Sequence, residues 1–281
     1  MSAMDCPSAV LFKNGYRKRG LALMVVCTAC LLGFALASPP ALADPTQTRQ
    51  ILQVGYMEFP PFTYQNSRGQ AAGEFIDITR KVVLEAGYTT EFVFLPPSRL
   101  LLHLRNGTVD LAPSLSGTPL LVYETLESWV SPVTLELHAW HLNTTETLKT
   151  FDQIKHKRVI VISGYNYGGL MSWMEKQSDI ALTEAPGHRA AIEMLKRNRG
   201  DYLLDYHKPV QELLSAPGDE NLHSTKLLSR EGVWVFALSR PQAEIWREQF
   251  DDAYIRLAEK GEVPPLRRLG PGYKITGFPN L

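Results

Sequence analysis

Two hydrophobic periods alternate along this chain. Gln50 to Tyr56 reads as a strand, and Glu58-Phe59-Pro60-Pro61-Phe62 must leave it, because two consecutive prolines cannot continue a central ladder. Ile76, Val82, Val83 and Ala86 then recur at helical spacing until Gly87 stops the run. Thr90 to Leu95 predicts a second strand, Arg99 to Asn106 a helix closed by Gly107, and Val109 to Ala112 a short third strand. The order strand, helix, strand, helix, strand predicts a parallel sheet with helices on both faces.

The pattern then repeats. Thr134 to Leu142 is a long strand-like stretch able to run from one lobe into another. Lys157 to Ile162 is a β-branched strand that ends in Ser163-Gly164-Tyr165-Asn166-Tyr167-Gly168-Gly169 and opens a helix from Leu170 to Lys176. Ala181 to Glu184, His188 to Arg197 and Asp201 to Asp205 add a strand, a helix and a strand. Gly232 to Ser239 is a further apolar strand, and Pro241 to Lys260 a helix whose position suggests a return to the first lobe.

The first forty residues follow a different plan. Lys13, Arg17, Lys18 and Arg19 precede the apolar run Leu21 to Ala37, and Ala41-Leu42-Ala43 offers a small-x-small cleavage site before Asp44. That is the layout of a secretory signal peptide over residues 1–43, which places the mature chain in the periplasm. Cys6, Cys27 and Cys30 all precede the cut, so the mature chain would hold no thiol, hence no disulfide and no cysteine catalysis. Of the 29 basic and 29 acidic residues, four basic and one acidic lie in the leader, leaving a mildly acidic chain of formal charge −3. That balance argues against a nucleic-acid partner.

Six stretches in order, VGYMEFPPFTY, GEFIDITRKVVLEAG, LRNGTVDLAPSLSGTP, FDQIKHKRVIVISG, RGDYLLDY and AYIRLAEKGEV, resemble the bacterial extracellular solute-binding proteins of family 3, which serve polar amino-acid ABC transporters. The resemblance implies an α/β fold of two Rossmann-like lobes joined by two crossing strands, the type II periplasmic binding protein-like architecture. The first lobe would comprise residues 44–139 and 232–281 and the second 140–231, with crossings near 138–142 and 230–236. It further implies a small polar or zwitterionic, amino acid-like ligand held between the lobes of a monomer, no cofactor, and delivery to an ABC permease in the inner membrane.

Matched residue by residue, the resemblance places Phe59 over the ligand and Ser114 and Ser116 against it. Tyr165 and Asn166 fall where amides at a helix start would bind a carboxylate. Asp205 falls near the position of a carboxylate that holds an amino group, with Tyr206 beside it as an aromatic neighbour. One departure stands out: Leu121 occupies the place of an arginine that clamps the ligand carboxylate in the family's amino-acid binders. Arg99, opening a helix after Pro96-Pro97-Ser98, is the candidate replacement cation, and without it standard α-amino acids should bind poorly.

Other groupings carry less. His138 and His141 are three apart in a strand and so point to opposite faces, which argues against a metal site. Ser163 to Gly169 lacks the Lys-Ser/Thr of a phosphate loop. The expected activity is binding without chemistry. The rivals are a dehydratase-like periplasmic enzyme on the same fold, for which Glu58, Asp205 and His207 are the suggestive groups, and a ligand-sensing subunit for a membrane receptor.

Overall fold

The computed structural model describes residues 49–215 and 217–269. The leader, its cleavage site, the three cysteines and residues 270–281 lie outside the described residues. Among those described, no helix is long and apolar enough to cross a membrane.

The first lobe opens with β1 (Ile51–Tyr56), the hairpin β2 (Tyr64–Gln65) and β3 (Ala71–Ala72), and α1 (Glu74–Glu85). β4 (Thr89–Phe94), α2 (Pro97–Arg105), β5 (Leu111–Leu115) and β6 (Thr125–Glu127) follow. β7 (Val133–Leu142) leads into the second lobe, which holds β8 (Arg158–Ile162), α3 (Leu170–Glu175), β9 (Ala181–Ala185), α4 (His188–Lys196), β10 (Tyr202–Tyr206) and α5 (His207–Gln211). β11 (Leu222–Ala237) then runs the other way, and α6 (Ala243–Glu259) follows it.

Apart from the β2-β3 hairpin, the strands form one continuous curled sheet in the order β4-β1-β5-β11-β7-β10-β8-β9, with β6 on β11. The expected parallel sheet exists only within each end: β4, β1 and β5 are parallel, as are β10, β8 and β9. Between them stand two antiparallel strands. β11 pairs with β7 from Leu222 to Gly232 and with β5 from Gly232 to Phe236, so a single strand belongs to both sheets. Gly232 sits at the handover, where an added Cβ would stand 2.4 Å from Val133 Cγ2.

Strand alternation sorts the core into two faces. In β11, Trp234 and Phe236 pack with Val82, Phe250 and Tyr254 of α1 and α6, while Val233 and Val235 pack with Leu100 and Leu104 of α2. In β8, Ile160 and Ile162 face Ala191, Ile192 and Leu195 of α4, and Val159 and Val161 face Leu170 and Met174 of α3. The buried indole of Trp234 keeps a partner, donating from Nε1 to Thr79 Oγ1 at 2.9 Å.

One buried carboxylate ties α6 to the turn before β7. Asp251 accepts from the Trp129 backbone N–H with both oxygens, at 3.1 and 3.0 Å. Burial nonetheless pushes its pKa up to about 6, against those hydrogen bonds. A carboxyl raised in the fold binds its proton more tightly than the unfolded chain does, so it lowers stability as pH rises from about 4 to about 6. Asp251→Asn should therefore remove about 2 to 3 kcal/mol of the parent's stability loss between pH 4 and pH 7, read as the difference between their urea unfolding curves. Parallel pH profiles for the two proteins would contradict this.

Candidate functional site

The cleft between the lobes is built at strand ends. After β1 the chain turns at once: Phe62 and Thr63 N–H both donate to Phe59 O at 3.0 Å, Phe59 N–H donates to Thr63 O at 2.7 Å, and the Pro60–Pro61 peptide is cis. This closed loop holds the Phe59 ring against two aromatics of the other lobe, edge-on to Tyr165 at 5.4 Å and to Tyr206 at 5.0 Å between centroids. Aromatic pairs in this geometry contribute about 0.5 to 1.5 kcal/mol each beyond area burial.

The loop after β8 supplies the facing wall. Tyr167, Gly168 and Gly169 have φ of 49°, 64° and 103°, a left-handed run that the two glycines make accessible. The Tyr167 hydroxyl holds the loop on the sheet, accepting from Ile162 N–H at 2.7 Å and donating to Leu204 O at 3.1 Å. Three amides here find acceptors nearby. Tyr165 N–H donates to Ile162 O, Gly168 N–H to Asn166 Oδ1 and Gly169 N–H to Asn166 O.

Behind Tyr165 runs a hydrogen-bonded chain. Its hydroxyl lies 3.2 Å from His188 Nε2, and His188 Nδ1 lies 2.7 Å from Asp205 Oδ2. The other carboxylate oxygen of Asp205 accepts from Tyr206 N–H at 2.8 Å. With Asp205 ionised, Nδ1 carries the imidazole proton and Nε2 accepts from Tyr165. Asp205 is fully buried, and burial raises its carboxyl above the ordinary carboxylate range despite the opposing histidine. Burial, then the charge of Asp205, likewise pushes the Tyr165 phenol well above its ordinary range, so it stays a neutral donor at physiological pH.

A buried cation spans the lobes. Arg230, 1% exposed on β11, donates from Nη2 to Ser116 O in the first lobe and from Nη1 to Gly168 O in the second at 3.2 Å. A Cβ on Gly168 would stand 1.8 Å from Nη1, so glycine is required there by this approach as well as by its φ. Lys208 adds a second cross-lobe contact, pairing with Glu74 at the start of α1.

These elements enclose a cavity of 340 Å³ that reaches from the cleft into the first lobe beneath α2. Phe59, Ser114, Tyr165, Asn166 and Tyr206 line it, together with Leu121. The other expected site residues lie elsewhere. Ser116 is buried beside the cleft, its hydroxyl donating to Glu127 at 2.8 Å. Arg99 is exposed on the first turn of α2, outside the lining. Asp205 sits behind Tyr165 and His188. Sequence reading did not single out Arg230 or His188; a cation two residues before Gly232 and its buried strand, and a histidine at a helix start after Gly187, were the available signals.

Comparison with solved structures finds this architecture repeatedly. A histidine kinase sensor domain described as similar to periplasmic binding proteins shares 16% identity at TM-score 0.64, covering 76% of this chain and 92% of that one. An ancestral arginine-binding protein bound to arginine shares 17% at TM-score 0.61, covering 76% and 95%. An ancestral amino acid-binding protein described as a precursor of cyclohexadienyl dehydratase shares 17% at TM-score 0.59, covering 75% and 91%. A search of curated proteins finds no match. At such identities the likeness is one of fold, and the fold is that of the type II periplasmic binding proteins. Residues 52–119 match the model of bacterial extracellular solute-binding proteins, family 3.

Proposed function

We propose that this chain is exported to the periplasm by its leader, closes its two lobes around a small organic solute without transforming it, and presents the closed form to an ABC permease. The carrying observation is a cavity whose walls come from both lobes, Phe59 on one side and Tyr165 and Tyr206 on the other. A ligand touching both walls binds the closed form better than the open one, and that difference in affinity alone drives closure.

Native mass spectrometry of protein purified from the periplasm without refolding should find one small molecule per chain. Phe59→Ala should weaken binding of the recovered molecule by about 1.5 to 3 kcal/mol, roughly 10- to 100-fold, because the substitution removes the aromatic face that closes the cleft. Affinity unchanged by that substitution would move the site out of the cleft. The hydrogen-bonded run Tyr165–His188–Asp205 favours a second reading, a catalyst that moves a proton at the cavity wall. A recovered molecule whose mass changes on incubation with fresh protein would establish that reading in place of pure binding.

A further inference from the structure

We infer that the cleft selects an uncharged ligand with a substantial apolar body, which enters the first lobe beneath α2, and that it rejects amino acids and other ions. This deepens the proposed cleft binding and rests on it. Among the described residues, none that lines the cavity carries a charge. Its inner end is walled by Leu100, Leu104, Ala112, Leu121 and Val235, side chains that belong to the apolar core around α2. A carboxylate or ammonium carried in there would lose its water and gain no counter-charge, whereas an apolar body gains by leaving water.

Asp205, Arg230, Glu127 and several amides beside the cavity are already engaged by the protein. Asp205 is held by His188 Nδ1 and Tyr206 N–H. Arg230 reaches the carbonyls of Ser116 and Gly168. Glu127 accepts from Ser116 Oγ and Gly117 N–H at 2.8 and 2.7 Å. The amides of Tyr165, Gly168 and Gly169 donate to Ile162 at the end of β8 and to Asn166, which takes these three donors before α3 away from a ligand carboxylate. Ser114 and the Tyr206 hydroxyl remain at the wall as neutral groups suited to a carbonyl, hydroxyl or amide, while the Thr118 hydroxyl donates to Leu115 O and the Tyr165 hydroxyl, already bonded to His188, can still accept.

A matched ligand series tests this on the full exported chain by titration calorimetry: indole-3-acetamide, indole-3-acetate, tryptamine and L-tryptophan share one ring and differ in charge. The neutral amide should bind at least about tenfold more tightly than any charged member, since only the latter bring an unpaired ion into the cavity. Leu121→Arg, which sets a guanidinium at the cavity wall, should reverse the order of amide and acetate. Each titration is repeated on Phe59→Ala. A charged member that binds as tightly as the amide, and loses affinity in Phe59→Ala, overturns the selectivity while leaving the cleft as the binding site. Failure of the amide to bind the parent also overturns it. If binding is seen but none of it responds to Phe59→Ala, the cleft reading itself falls.

Discussion

Replacing Asp205 with alanine should cost about 2 to 4 kcal/mol of folding stability, the range expected when two buried donors lose their acceptor. The carboxylate is fully buried and serves two donors, His188 Nδ1 and the Tyr206 amide. Alanine leaves both donors in the interior without that acceptor, and each pays its desolvation without compensation. Asp205→Asn keeps an oxygen for one of them and should cost about 1 to 2 kcal/mol. The loss should also spread to the cleft, because His188 orients the Tyr165 hydroxyl at 3.2 Å. Urea unfolding at neutral pH provides the measurement. A cost below about 1 kcal/mol for the alanine variant would mean that these two hydrogen bonds contribute nothing net.

That role for Asp205 shows where sequence reading reaches and where it stops. The strand Tyr202–Tyr206 was legible from its apolar run, and the matched RGDYLLDY stretch placed Asp205 beside the site. What meets its carboxylate was not legible, because His188 comes to it from the start of another helix, 17 residues away in sequence. Phe59, Tyr165 and Tyr206 were legible for a local reason. Prolines after β1 and glycines after β8 force the chain out of its strands, and the aromatics at those exits project into the cleft.

The middle of the sheet was harder to read. Only Gly232 onward was expected as a strand, yet β11 begins at Leu222. His223 to Glu231 shows no apolar alternation, since its ladder to β7 holds it and, of its side chains, only Leu228 and the polar Arg230 are buried. β5 extends through Pro113 to Leu115, beyond the expected end at Ala112, with Pro113 opposite Trp234 of β11. Pattern reading ends strands at proline, whereas the sheet here tolerates one at its junction.

Arg230 should prove the strongest determinant of how the lobes sit. It lies 114 residues from Ser116 and 62 from Gly168, and the hinge strand alone brings the three together. A planar guanidinium can reach two carbonyls in different directions at once, which a lysine ammonium on its flexible stem does less well. Arg230→Ala should therefore cost about 2 to 4 kcal/mol, from the lost donors and the space left in the interior, and should open the lobes. Small-angle scattering should report a larger radius of gyration, and hydrogen exchange should accelerate in the loop from Gly164 to Gly169. Arg230→Lys should fall between parent and alanine on both measures. Gly168→Ala approaches the same contact from the other side: its methyl group would stand 1.8 Å from Nη1, at a φ of +64°, so the guanidinium must withdraw. If opening arises from loss of this bridge, Gly168→Ala should scatter like Arg230→Ala although its arginine is intact. Parent-like scattering from both variants would show that the aromatic contacts of Phe59 and the Lys208–Glu74 pair suffice to hold the lobes together, and that the bridge does not set their position.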